Sequence, residues 1–109
     1  MTLEERSMLA EGIFNNCANI LTVKGKAYSG EKDVLSNFKV NAERLGLSKY
    51  QIWAIYFNKH IDSINHAIAA NPILPKDNSE GLDSRIVDVI NYAVILQAML
   101  TEDSDAVNK

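Results

Sequence analysis

Cysteine is nearly absent: Cys17 is the sole one in 109 residues. A single thiol excludes an intramolecular disulfide and any cysteine-based metal site, and it suits a reducing cytoplasm. Proline and glycine are scarce, at two and five residues. That leaves long uninterrupted stretches and favours helices over many short strands. No apolar run of about 18 residues occurs, so no membrane span is expected. The opening Met1-Thr2-Leu3-Glu4-Glu5-Arg6 is too charged for a signal-peptide core. There is no basic block either. With a net charge of −3, this argues against non-specific nucleic-acid binding, which needs a cationic footprint. A few local lysines are still enough to hold one phosphate group. What is present is an ordinary globular composition, 47% hydrophobic and 23% charged, in a length that fits one domain.

Helical periodicity organises that composition into four segments. Thr2 and Glu5 have capping-box spacing, in which each side chain satisfies the other's free backbone N–H. Leu9, Ile13, Cys17, Ile20 and Leu21 then recur at helical spacing, with Asn15, Asn16 and Asn19 mostly opposite. This predicts a first helix to about residue 23, fraying near Gly25, and a connector over 24–32. A second helix is expected over 31–45, with Val34, Leu35, Phe38, Ala42 and Leu45 as its stripe and Gly46 as its left-handed C′ residue. Ser48 and Gln51 form another capping pair and open a third helix that reaches Ala70. Its apolar face carries Trp53, Tyr56, Phe57, Ile61, Ile64 and Ile68, and Pro72 and Pro75 end it. After a loop in which Asp77 and Glu80 form an N-terminal acidic pair, a last helix spans about 81–100. Its apolar residues, from Leu82 to Leu100, cover nearly the whole circumference. Such a helix is buried on more than one side, which predicts an oligomer interface there, most simply an isologous dimer. Residues 1–100 thus read as one helical domain and 101–109 as a polar, disordered tail.

Three groups of residues stand out chemically. His60 falls in the middle of an apolar face, one turn from Tyr56 and Ile64, with Lys59 at the edge. A core histidine with a polar partner and a ligand-contacting group in an inter-helix cleft both fit. Arg85, Asp88, Asn91 and Tyr92 follow at three- and four-residue steps and share one face of the last helix. A structural Arg85–Asp88 pair with a supporting Asn91, or one wall of a polar pocket facing His60, would account for that row. The connector holds Lys24, Lys26 and Lys32 around glycines and Tyr28. It reads as a solvated loop or as a segment that holds a phosphate and stacks a base. It is not a P-loop, and there is no nucleophile elbow and no His-Glu-x-x-His motif. Cys17, inside an apolar stripe, reads as a buried thiol.

Taken together, Lys24-x-Lys26-x-Tyr28, Leu35-Ser36-Asn37-Phe38-Lys39, Lys59-His60-Ile61-Asp62-Ser63-Ile64 and Asp88-Val89-Ile90-Asn91-Tyr92 resemble a group of small phage and prophage proteins. Those are similar to the nucleotide-modification-associated domain and more distantly to the all-alpha MazG-type nucleotide pyrophosphatases. The resemblance covers about residues 15–100. It implies an all-α, four-helix, MazG-like bundle, dimeric or of higher order, that handles nucleotides in the cytoplasm, the host's if the protein is phage-encoded. MazG-like enzymes hold Mg²⁺ with paired glutamates on one helix and an acidic pair on another, because Mg²⁺ demands hard oxygen ligands. This chain departs from that pattern. Glu4 and Glu5 are explained by capping, Arg85 stands three residues before Asp88 where a second carboxylate is due, and Asp83 lies on another face.

The expectation is therefore a nucleotide-binding protein that uses no metal and no cofactor. A concrete version is an anti-defence sponge that sequesters a nucleotide immune signal. The expected contacts are Lys24, Lys26 and Lys59 to phosphates, Tyr28 or Tyr92 stacked on a base, and His60, Arg85, Asp88 and Asn91 as polar lining. Two alternatives are a divergent Mg²⁺-dependent pyrophosphohydrolase using Asp88, Asp62 and Glu80 or Asp83, and a helical protein-interaction module docking through the last helix.

Overall fold

The computed structural model describes residues 1–76 and 81–108. Among these there are four α-helices and no strand: α1 (Leu3–Ser29), α2 (Ser36–Leu45), α3 (Lys49–Ala70) and α4 (Leu82–Asn108). Asp77 and Glu80, read as an acidic pair before the last helix, lie outside the described residues.

The starts of α1 and α3 follow from their caps. Thr2 Oγ1 accepts the Glu5 N–H at 3.1 Å, but its hydroxyl donates to Glu5 Oε1 at 3.0 Å, so half of the expected reciprocal box forms. At α3 the box is complete: Ser48 Oγ accepts from Gln51 N at 3.1 Å and Gln51 Oε1 accepts from Ser48 N at 2.8 Å. Gly46 has φ 66° and ψ 32°, the left-handed conformation expected of it, and Leu47 N–H closes on Ala42 O at 3.0 Å.

Two boundaries differ from the sequence expectation. The first helix does not stop near residue 23 but continues through Gly25 to Ser29. A lone interior glycine costs about 1 kcal/mol relative to alanine, which tertiary contacts of the next turns can offset. The glycine that ends the helix is Gly30, at φ 77°, its N–H bonded to Lys26 O at 3.0 Å. The second helix consequently begins at Ser36 rather than near residue 31, after a turn organised by side chains. Asp33 Oδ1 accepts Leu35 N–H at 3.0 Å, and Ser29 Oγ accepts Asn37 N–H at 3.0 Å.

The third difference concerns the C-terminus. Residues 101–108 are helical as part of α4, not a disordered tail. Polar contacts rather than apolar burial hold them. Lys39 Nζ bridges Asp33 Oδ2 at 2.9 Å and Glu102 Oε1 at 2.6 Å. Asp103 takes Lys49 Nζ at 2.6 Å and the Tyr50 hydroxyl at 2.5 Å.

The core lies where α2, α3 and α4 meet. Leu35, Phe38, Ala42, Ile52 and Met99 form it, with Tyr56, Trp53, Tyr92 and Ile95 packed around them. Tyr56 and Tyr92 meet the Phe38 ring edge-on at 6.1 and 6.3 Å, a favoured aromatic geometry. Trp53 Nε1 donates to Tyr92 O at 2.7 Å and pins α3 to α4. α1 stands apart from this core. Cys17 is its buried residue, packed near Val87, while Leu3, Met8, Leu9 and Phe14 remain exposed. The radius of gyration of 16.2 Å accordingly exceeds the roughly 13 Å of a spherical domain of this length. No described helix is long and apolar enough to cross a membrane.

Hydrogen bonds from Lys39 to Asp33, and from Lys49 and Tyr50 to Asp103, hold both carboxyls below the ordinary 3.8. A carboxyl whose pKa is lowered on folding contributes stability that is complete above the unfolded value and is lost as pH falls through the folded one. Acidification below about pH 4 is therefore expected to loosen the end of α4 first. Amide exchange at pH 3 should show protection lost in residues 101–108 before α3, and Asp103→Asn should loosen the same turns at neutral pH. Equal loss along the whole of α4 would contradict this origin.

Candidate functional site

A cavity of about 660 Å³ separates the second half of α1 from the three-helix core. Its α1 wall runs from Leu21 to Tyr28, and its far wall is built from Asn37 and Phe38 of α2, His60 of α3, and Asp88, Asn91, Tyr92 and Ile95 of α4. Val34 and Leu35 of the turn close one end. The cavity exists because α1 is anchored to α4 near Cys17 while Gly30 and the Asp33 turn swing the chain away to α2. Its volume falls in the range of small-molecule sites, and its lining is of that kind, apolar and aromatic with a few polar groups.

The row Arg85, Asp88 and Asn91 is buried, each less than a tenth exposed, and the structure joins it to His60. Asp88 is the centre. Its Oδ1 lies 3.2 Å from Lys24 Nζ of α1, and its Oδ2 lies 3.5 Å from His60 Nδ1 of α3. His60 Nδ1 is also 3.4 Å from Arg85 Nη1. One ring nitrogen thus sits between a donor and an acceptor. With a lone pair on Nδ1 the ring accepts from Arg85, and with a proton there it donates to Asp88. The His60 ring packs against Tyr92 at 5.1 Å between centroids. Burial, with the charge of Asp88 second, pushes the Tyr92 phenol above 10.0, so it is a neutral donor at physiological pH. Burial likewise raises the Cys17 thiol, which keeps it protonated and a poor nucleophile.

Asn91 is the unusual member. It lines the cavity and is 6% exposed, and among the described residues its Oδ1 is a buried oxygen with no hydrogen-bond partner. A buried acceptor left unsatisfied costs about 1–3 kcal/mol. Such groups in folded proteins call for a specific explanation, a ligand or solvent among them.

Of the nine residues expected at a site, Lys24, Lys26, Tyr28, His60, Asp88, Asn91 and Tyr92 line this one cavity. Arg85 lies behind it, against His60. Lys59 is exposed and is not part of the lining. Lys26 is paired with Glu31 Oε1 at 3.0 Å, both partners largely exposed, and Tyr28 stands at the mouth, 69% exposed. The sequence reading missed Phe38 and Asn37 as lining residues. Their place in the quoted Leu35–Lys39 motif was the available signal. It also missed Gly25, which looked like a helix end. Of the carboxylates considered for Mg²⁺, Asp62 and Asp83 are exposed, Asp88 faces Lys24 and His60, and Glu80 lies outside the described residues. Among the described residues no cluster of three or more His, Cys, Asp or Glu side chains is placed to hold a metal.

If Oδ1 of Asn91 is unsatisfied in the free protein, Asn91→Leu, similar in size, should leave stability unchanged or raise it by about 1 kcal/mol, measured by urea denaturation without ligand. A loss of more than about 1 kcal/mol would show that the amide has a structural partner. No protein-family model, no curated protein and no solved structure matches this chain.

Proposed function

We propose that this chain binds a nucleotide in the cavity between α1 and the α2–α3–α4 core, and holds it without metal-dependent turnover. The observation that carries this reading is the unsatisfied Asn91 Oδ1 beside a cavity that also gathers lysines, aromatic rings and a His–Asp pair from four helices. A nucleobase supplies what this interior lacks, an N–H donor on a flat ring, and Tyr92 and Phe38 supply the aromatic surroundings. A phosphate then falls at the open end. Lys26 is the lysine released most cheaply, because its exposed pair with Glu31 is worth about 1 kcal/mol or less, while a charge-assisted bond to phosphate is stronger. Lys24 stays with the buried Asp88. In this role Asp88 is an anchor between helices rather than a metal ligand, which favours binding over the Mg²⁺-dependent hydrolysis of MazG-like enzymes.

Assembly fits the same picture. Ile86, Val94 and Leu100 leave an apolar strip of α4 open, and Val94 also lines the cavity. A second copy over that strip roofs the cavity mouth, giving the dimeric MazG-like bundle that the motifs imply. A closed, non-hydrolysing nucleotide trap is the chemistry required of a phage-type sponge that removes a nucleotide signal.

The test is thermal unfolding against linear and cyclic nucleotides, with molar mass by light scattering. At a hundredfold excess over Kd, binding adds about 2.7 kcal/mol. At least one nucleotide is expected to raise Tm without Mg²⁺ and to be recovered intact. The effect should weaken in Lys26→Ala and Asn91→Leu. A flat panel, or Mg²⁺-dependent release of monophosphate abolished by Asp88→Ala, would overturn the reading.

A further inference from the structure

Gly25 sits inside a 27-residue helix where nothing in the protein requires a glycine. No positive φ is recorded there, and a Cβ built on it would meet no atom within 4 Å. A glycine in a helix interior weakens the helix, and alanine would be better. Gly12 has the same freedom but is exposed, whereas Gly25 is partly buried and lines the cavity. At about 100° per residue, the α1 residues that line the cavity span an arc of about 200°, and Gly25 lies at its midpoint. The open space beside its Cα is thus the cavity itself, with Asn91 of α4 in the opposite wall.

We infer that Gly25 is a ligand-contacting, specificity-determining position: the ligand lays a flat, N–H-bearing ring system on the bare backbone of α1 at Gly25 and donates to Asn91 Oδ1. This rests on the reading of the cavity as a binding site and names the shape of what enters it. Glycine lets a ring approach the helix more closely than any side chain allows. A planar body uses that approach fully, with Phe38 and Tyr92 on the far side. Oδ1 is shielded in the free protein, but the terminal torsion of an asparagine is broad, and a small turn presents the oxygen to the cavity. An anionic group on the ring system points to the mouth and Lys26. The ligand class is therefore a planar heteroaromatic or arylamine N–H donor with an anionic substituent. Gly25 sets how closely the ring lies to α1, because any side chain there would stand between the ring and the helix backbone.

Two probes separate this inference from the nucleotide reading. Adenosine monophosphate has the class features and is a nucleotide. The dye 6-aminonaphthalene-2-sulfonate, a flat ring system with an N–H donor at one end and an anion at the other, has them too but is not one. Gly25→Ala and Gly25→Leu should both raise the apo Tm, by about 2–8 °C for a chain of this size, because each removes a helix-interior glycine and meets no clash. Against that gain, Gly25→Ala should weaken one-to-one dye binding at least tenfold and Gly25→Leu should abolish it, with adenosine monophosphate following the same order if nucleotides bind. Dye binding that depends on Gly25 while no nucleotide binds would keep this inference and remove the nucleotide reading. Dye binding unchanged in Gly25→Leu, no dye binding to the wild type, or an apo Tm lowered by Gly25→Ala would each overturn the inference.

Discussion

The ion pair between Lys24 and Asp88, 3.2 Å long, is the polar tie that holds the second half of α1 against α4, while Ser29 at its end is hydrogen-bonded to Asn37 of α2. Asp88 is buried and Lys24 half-exposed, so the pair is screened less than a surface bridge and escapes the full desolvation cost of a buried one. The other oxygen of Asp88 faces His60, and Arg85 stands behind that ring. Three helices therefore meet at one carboxylate. Were Asp88 absent, Lys24 would lose the carboxylate that draws it inward. The cavity is the space this arrangement keeps open between α1 and the aromatic wall of Phe38 and Tyr92.

That arrangement explains the shape of the chain. The α2–α3–α4 body has its own core around Ile52 and Met99, and α1 adds Cys17 fully and Ile13, Ile20 and Leu21 in part to buried apolar surface. The first turns of α1 and one strip of α4 are left apolar and exposed. A domain built this way gains little stability from closing on itself around α1. A helix held by few groups, with one glycine facing a void, is suited to admitting a small molecule and settling on it.

Much of this was legible in the sequence, where local chemistry decides structure. The Ser48–Gln51 box, the left-handed Gly46 and the proline stop after Ala70 are set within a few residues, and each stands where the spacing put it. The buried polar row of α4 was legible because three- and four-residue steps fix a helix face. Tertiary contacts decided the rest. Gly25 read as a helix end because its local preference is poor, while Gly30, five residues on, carries the positive φ that ends α1. The last two turns of α4 read as a tail because they are mostly polar. Their stability comes from Lys39, Lys49 and Tyr50, far away in sequence. The cavity was legible only as a list of its polar residues. That Lys59 points away from it and Gly25 into it depends on how α1 crosses α4, which no local pattern encodes.

Native mass spectrometry of the chain after exposure to a total cellular nucleotide extract tests the central claim most directly, because it weighs the occupant and the assembly together. The account predicts a bound mass of several hundred daltons, about one per chain, that leaves unchanged on denaturation and carries no stoichiometric metal. A spectrum with no bound small molecule, or with a nucleotide returned stripped of phosphate, would contradict it.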